Sequence, residues 1–408
     1  MKRKLFRQML LMVSAVMLAF AMSAQTPSAA LSASPAESPS TPVVEKPKTK
    51  SWSDYVTIKG DTRLRVETVT DDTKKDSSGD TYTRDRMRLR ARLAAEAQLD
   101  DLKGGIRVST GGDDPVSGNV TLGDGDEKKD FRLDLAYLEY AFLKAETYSV
   151  KGIGGKMSNP FITYTDDLVW DSDLTPEGVA AKGAVGNEWI KFLGNGAWLF
   201  IKDRDTKDNA TAWLGQGAVN LTFIPEVSLT LGGAYFAFQN FKGYDVIDWE
   251  DKNKSYGNST VKGSVSGSTT NKAWACDFTP VVGFGNLDFF VGKLPVSVYG
   301  QVLTNPEADD NDNGYMGGLS LGKAKNPKTF ELGYSYAKLE KDAVLGMWTD
   351  SDRWGGGTDG KGHRIYGKYQ INKYLQFAVT FFMDKKNISD SSKEDDYKRL
   401  QIDLQASF

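Results

Sequence analysis

The chain has 408 residues, 51 of them basic and 54 acidic, for a formal charge of −3, with a single cysteine and a single histidine. That balance excludes a basic nucleic-acid binder, and the lone Cys276 and His363 exclude an intrachain disulfide and any Cys/His metal cage.

At the start, Lys2, Arg3, Lys4 and Arg7 precede an uncharged apolar run over residues 9–21, with small residues at Ala19, Ala21, Ser23 and Ala24. This is the layout of a signal peptide over residues 1–24, cleaved between Ala21 and Gln25. An uncleaved anchor is the competing reading, but the run is shorter than the roughly 20 residues of a spanning helix. Loss of the four basic residues leaves the mature chain at −7. Residues 25–50 are rich in Pro, Ser, Ala, Thr and Lys and nearly free of large apolar side chains, so they cannot offset their ordering entropy and read as a flexible periplasmic leader. A spacer reaching toward peptidoglycan is the alternative. Residues 51–408 remain for one folded domain, without a stretch suited to a membrane helix.

From Tyr55 the pattern has period two. Val56, Ile58, Gly60, Thr62, Leu64 and Val66 share one face, and Lys59, Asp61, Arg63, Arg65 and Glu67 the other. Long polar connections are expected at residues 70–81, 111–130, 158–176, 203–210, 241–271, 304–313, 341–362 and 386–396. Tight turns are expected near 100–103, 144–146, 186–187, 224–226, 285–286, 326–328 and 372–373, where Gly, Pro, Asn and charged residues cluster. Eight long and seven short connections imply about 16 strands and return both termini to one side. The expected fold is all-β: a transmembrane antiparallel up-and-down β-barrel with short periplasmic turns and long extracellular loops. Trp189, Trp198, Trp213, Tyr235, Phe236, Tyr334, Tyr336, Tyr366, Phe377 and Phe381 are candidates for its interfacial aromatic girdles. A secreted or surface-attached β-sandwich, binding carbohydrate or acting as an adhesin, would show the same alternation.

In residues 84–92 (RDRMRLRAR), Arg84, Arg86, Arg88, Arg90 and Arg92 alternate with Asp85, Met87, Leu89 and Ala91. A helix is the competing reading, since good helix formers follow. At 100° per residue, however, every-second arginines scatter around a helix and leave no apolar stripe, whereas a strand lines them along one face over about 27 Å. Arg63, Arg65 and Arg107 extend the patch, so a basic wall is expected inside the barrel, in excess of the neighbouring acids Asp61, Glu67, Asp85 and Glu96. Such a row attracts anions in a pore. Pairing of these acids with the arginines on a wet surface is the plainer alternative.

Further along, DDNDNG at residues 309–314 imitates a calcium loop, but Ser320 stands where the bidentate Glu belongs. His363 lies in a Gly-rich stretch, and no G-x-S-x-G element accompanies it, so no hydrolase is indicated and no cofactor or metal is implied. In residues 397–408 (YKRLQIDLQASF), Leu400, Ile402, Leu404, Ala406 and Phe408 face one way and Arg399, Gln401, Asp403, Gln405 and Ser407 the other. A last strand ending in Phe resembles the signal read by the barrel-assembly machinery of bacterial outer membranes, with Leu400, Ile402, Leu404 and Phe408 as its carriers.

Residues 107–124 (RVSTGGDDPVSGNVTLGD), 155–161 (GKMSNPF), 167–180 (DLVWDSDLTPEGVA) and 339–363 (LEKDAVLGMWTDSDRWGGGTDGKGH) resemble the putative porin family of Gram-negative bacteria, over residues 57–408. The resemblance implies a water-filled channel in the outer membrane for passive diffusion of small hydrophilic solutes or ions, with lipid and lipopolysaccharide around it. By analogy with other porins, a homotrimer is expected. The third long loop, carrying Asp166, Asp167, Asp171 and Asp173, looks like one that folds inward and sets carboxylates against the arginine wall. A plain extracellular loop is the other reading.

Overall fold

The computed structural model describes residues 51–164, 166–250, 252–265 and 271–408. The expected signal peptide and leader therefore lie outside the described residues. Sixteen strands form the wall: β1 (Val56–Lys75), β2 (Thr81–Leu99), β3 (Leu102–Thr110), β4 (Phe131–Lys144), β5 (Tyr148–Lys156), β6 (Glu177–Gly186), β7 (Ile190–Lys202), β8 (Ala210–Ile224), β9 (Val227–Gln239), β10 (Val281–Val291), β11 (Leu294–Thr304), β12 (Asn313–Gly322), β13 (Phe330–Leu339), β14 (Gly360–Gln370), β15 (Leu375–Lys386) and β16 (Asp395–Ser407). Each is antiparallel to its chain neighbours. β1 also pairs with β16, from Asp61 opposite Ser407 to Asp71 opposite Tyr397, so the sheet closes into a barrel. Closure leaves this sheet no edge strand, and the other sheet among the described residues is only a two-stranded ribbon of Thr260–Lys262 with Lys272–Trp274, which overturns the sandwich alternative.

Side-chain alternation follows the pleat. On β1, Arg65 and Glu67 are buried inward while Ile58 and Leu64 are exposed on the outside. Leu93, Ile106, Leu138, Phe142, Phe192, Trp213, Tyr235 and Val302 continue the outer apolar surface around the barrel. Apolar area of that extent is tolerated against hydrocarbon and not against water. The carboxy-terminal strand seals the seam, with the Phe408 amide donating to Gly60 O at 3.0 Å and the Gly60 amide to Phe408 O at 3.1 Å. Glycine at position 60 makes room for the Phe408 ring, which a Cβ there would meet at 2.5 Å. Leu400, Ile402 and Leu404 lie on the outward face, in register with Thr68, Val66 and Leu64.

Four expectations need correction. No turn occurs at residues 285–286; Gly285 and Asn286 sit within β10, and the reversal is at Gly292, whose φ of +64° is the conformation glycine permits. Asn286 instead turns inward, accepting from the Ser297 hydroxyl at 2.7 Å and donating to Asp288 at 2.6 Å. The first long connection is also shorter than expected, since β1 and β2 stay paired up to Lys75 opposite Thr81. Above the membrane both faces of a hairpin meet water, so its polar residues do not end the pairing. Of the girdle candidates, Phe236 and Tyr366 are buried inside the barrel, whereas Tyr235 beside Phe236 faces out.

The fourth correction concerns the bore. The inner face of β7 to β13 carries a large apolar cluster: Leu199, Leu214, Phe236, Phe238, Tyr299, Leu303, Met316 and Leu339 form a core with residues of three inward loops. These are L3 (residues 157–176), L5 (residues 240–280) and L7 (residues 340–359). Trp170 of L3 stacks on Phe161 and on Trp348 of L7, with ring centroids 5.6 and 5.5 Å apart, and Phe236 meets Phe161 and Trp170 at 5.1 and 5.3 Å. Each such side chain removed from water is worth about 1.5–3 kcal/mol. The loops are therefore cemented to one half of the barrel, which leaves aqueous space beside β1, β2 and β14 to β16 and in cavities lined by residues of β2 to β7.

Candidate functional site: the arginine wall and the loops against it

On β1 and β2 the register sets Asp61 opposite Arg92, Arg63 opposite Arg90, Arg65 opposite Arg88 and Glu67 opposite Arg86. Like charges directly opposed repel, so the row needs interleaved acids. Arg65 makes a bidentate pair with Asp403 of β16, at 2.7 and 2.8 Å, and reaches Asp352 of L7 at 3.2 Å. Glu67, wholly buried, accepts from Arg86 and, at 2.9 Å, from Arg399, which also meets Asp352 at 3.0 Å. Lower on the wall, Arg90 donates to Asp173 of L3 at 2.9 Å and to Asp61 at 3.2 Å, and Arg92 to Asp61 at 2.8 Å.

Five guanidiniums (Arg65, Arg86, Arg90, Arg92 and Arg399) are thus matched by five carboxylates (Asp61, Glu67, Asp173, Asp352 and Asp403). Three arginines stand outside this balance. Arg84 has no ion pair among the described residues; Arg63 donates to the amide oxygen of Asn119 at 2.9 Å; Arg88 has only Glu67 at 4.0 Å, already engaged by two closer partners. The residual positive charge therefore sits on Arg63, Arg84 and Arg88.

Two cavities lie along this wall beside L7, and a third, of about 490 Å³, opens on Arg90 and Arg92 from the side of β3 and β4. The upper, of about 550 Å³, opens toward the long loops and is lined by Arg84, Arg86, Arg88 and Lys254 with Asp114 and Glu250. The lower, of about 430 Å³, faces the short turns and is lined by Arg63, Arg65, Arg364 and Lys368 with the acids of L3 and L7. They meet at Val116 and Ser351, which line both, and the Ser351 hydroxyl donates to Val116 O at 3.0 Å. L2 (residues 111–130) and L7 thus form the partition between the two spaces. L7 turns sharply here through Gly355, Gly356 and Gly357, with φ of +83°, +90° and +87°. At Gly357 a Cβ would also lie 2.3 Å from Tyr256 O.

The family described as "Putative porin" matches residues 44–262 and 252–408, nearly the whole chain. The chain belongs to that family. It forms a porin barrel of the outer membrane. Among solved structures, OprB of Pseudomonas putida is similar at 11% identity, over 87% of this chain and 95% of that one, with a TM-score of 0.54, a likeness of fold. OmpT of Vibrio cholerae, an outer membrane protein, aligns at 14% identity over 87% of this chain and 100% of its own, with a TM-score of 0.47. No curated protein matches the chain.

Within this porin the four L3 carboxylates have four different settings. Only Asp173 meets the arginine wall, through Arg90 and Arg92. Asp166 crosses to the other side, where Arg353 of L7 at 3.0 Å, Arg364 of β14 and Ser335 of β13 bind it. Burial alone would raise its pKa, but those two guanidiniums outweigh it and hold the carboxyl well below the usual range. Asp167 accepts backbone N–H groups of Val169 and Trp170 at 2.8 and 3.0 Å and the amide of Gln301 at 3.2 Å; burial still pushes it up to about 6. Asp171 accepts from Asp173 N at 2.7 Å and Ser351 N at 2.9 Å, and burial beside Asp350 raises it as well. Arg107 pairs with Asp134 at 2.5 Å, away from both cavities. His363 faces outward on β14, its Nδ1 2.8 Å from the Tyr334 hydroxyl.

The sequence reading missed Asp350, Asp352 and Arg353 of the porin's L7, as well as Arg364, Arg399 and Asn119. Arg399 was within reach, because it shares the inward face of the last strand with Gln401 and Asp403. Nothing in the order of residues signals that L7 descends into the bore.

Proposed function

We propose that this porin is a passive diffusion channel for small hydrophilic solutes, with a modest preference for anions. The observation that carries the reading is the unequal charge of the wall, on which Arg63, Arg84 and Arg88 lack a carboxylate along the two adjoining cavities. Fixed positive groups beside a narrow aqueous gap raise the local anion concentration, and apolar packing of L3, L5 and L7 narrows the space beside them. In this reading L3 is the constricting loop, with Asp173 set against the wall and Asp166 anchoring the far end. No step requires catalysis or a cofactor.

Reversal potentials across planar bilayers in a KCl gradient test the proposal. At neutral pH chloride should carry more than half of the current, and a cation-selective channel would overturn it. Acid should strengthen the preference. Burial raises Asp167 to about 6 in the folded barrel against about 3.9 unfolded, so it takes up a proton in the fold as pH falls through 6. With the folded value raised, its favourable contribution to stability is full below about 4 and lost as pH rises through 6. Between pH 7 and 5 the lower cavity gains about one positive unit, and Asp167→Asn should show the acid-type selectivity at both values.

A homotrimer is the oligomer we propose. The outward faces of β7 to β10 carry Gly194, Gly196, Gly215, Gly217, Gly233 and Gly283, and a Cβ at 194, 215 or 217 would meet nothing within 4 Å. A flat patch of that kind lets a second barrel approach closely. The mass of the purified complex in mild detergent should equal three chains; a monomer would remove this part of the proposal.

A further inference from the structure

The three arginines left without carboxylates are not scattered. Arg84 lines the upper cavity, Arg88 lines it closer to the partition, and Arg63 opens on the lower cavity. Arg63 lies opposite Arg90, two residues from Arg88, so Arg63 and Arg88 are diagonal neighbours across the β1–β2 pair, roughly 7 Å apart. One small anion can therefore pass from one to the other without crossing an uncharged gap.

Both are occupied by neutral acceptors from the same short piece of L2. Asn119 Oδ1 accepts from Arg63 Nη2 at 2.9 Å, while Ser117 Oγ and Asn119 O accept from Arg88 Nη2 at 3.3 and 3.4 Å. The Nε atoms of both arginines are buried without a hydrogen-bond partner. An amide oxygen satisfies a guanidinium's geometry but leaves its charge uncompensated, whereas an anionic acceptor in the same place neutralises it.

Resting on the porin reading above, we infer that Arg63 and Arg88 form an oxyanion-transfer site, in which the Asn119 side chain holds the place of the solute. The solute class is a small carboxylate or phosphate, since a guanidinium fork takes two oxygens side by side and a spherical halide cannot fill both positions. An incoming oxyanion is collected by Arg84, engages Arg88, displaces Asn119 from Arg63 and leaves into the lower cavity. There Asp173 and Asp403, paired with Arg90 and Arg65, keep the positive field too weak to trap it.

The test is block of chloride current through the full mature protein in planar bilayers, with potassium acetate and potassium phosphate added in separate titrations. Block by at least one of them is expected, and the anion acting at the lower concentration identifies the class. Arg63→Gln and Arg88→Gln should each raise the half-blocking concentration about tenfold, the worth of one charge-assisted contact. Asn119→Ala removes the internal competitor and should lower that concentration by roughly threefold, whereas Asn119→Asp supplies a tethered carboxylate and should raise it. The two Asn119 variants act in opposite directions and remain decisive if an arginine variant folds poorly. An open channel that neither anion blocks, or weaker block in Asn119→Ala, overturns the transfer site alone. A silent bilayer overturns the porin reading and the transfer site with it.

Discussion

Replacing Glu67 by glutamine should destabilise the barrel by about 3 kcal/mol or more and make the open channel more anion-selective. Glu67 has no exposed surface and is the acceptor at which β1, β2 and β16 converge, receiving Arg86, Arg399 and the Gln401 amide at 3.1 Å. Removing its charge leaves two guanidiniums facing a neutral amide. Arg399 retains Asp352, but Arg86 has no second carboxylate within ion-pair distance among the described residues. Removing one partner of a buried pair is costly because the other charge stays in place, whereas removing both together costs far less. The double variant Glu67→Gln/Arg86→Gln should thus recover more than 1 kcal/mol relative to the sum of the single changes. The measurement is denaturant unfolding of the refolded barrel, followed by its altered gel migration with and without heating. A Glu67→Gln barrel as stable as its parent would show that lumen water screens the wall, and that the pairings around Glu67 contribute little to the fold.

Legibility of this molecule follows the contrast between its two solvents. Where a strand separates lipid from water, as β1, β2 and β16 do, apolar and charged residues alternate strictly, and both the barrel and its arginine row can be read from residues 56–67, 84–93 and 397–408. Where loops cover the inner face, the contrast disappears. In Ala234 to Phe238 of β9, Phe236 and Phe238 point inward into the L3 core, and Tyr235 points out to lipid. Both faces are apolar, and period two carries no information about which is which. The same cause hid the partners of the arginines. Asp173 and Asp352 come from loops about 80 and 290 residues away from Arg90 and Arg65, so a count of acids near the arginines in sequence could not show that Arg63, Arg84 and Arg88 would be the ones left without a carboxylate. Asp166 to Asp173 were visible as an acidic loop, but local order could not show that Asp166 would find Arg353 and Arg364 rather than the wall.

That pairing sets the second large effect, because Asp166 fastens L3, L7 and the strands β13 and β14 to one another at a single point. Its side chain is 3% exposed and binds Arg353, itself 4% exposed, along with Arg364 and the Ser335 hydroxyl. Asp166→Asn should cost about 3–5 kcal/mol, since Arg353 stays buried without its counter-charge. Strand pairing does not involve this residue, so the barrel should still assemble while the two loops lose their anchor. We expect larger single-channel conductance, frequent brief closures, and proteolytic cleavage within residues 340–359 that the parent resists. The pH dependence separates this clamp from Asp167. The Asp166 pKa is depressed, so its contribution is present above the unfolded value of about 3.9 and is lost only as pH falls through its much lower folded value. At pH 4 to 5 the parent should therefore show the selectivity change of Asp167 with a quiet current. A parent channel that turns noisy in that window, or an Asp166→Asn channel with unchanged conductance and protease resistance, would mean that aromatic packing around Trp170 holds the loops without the ion pair.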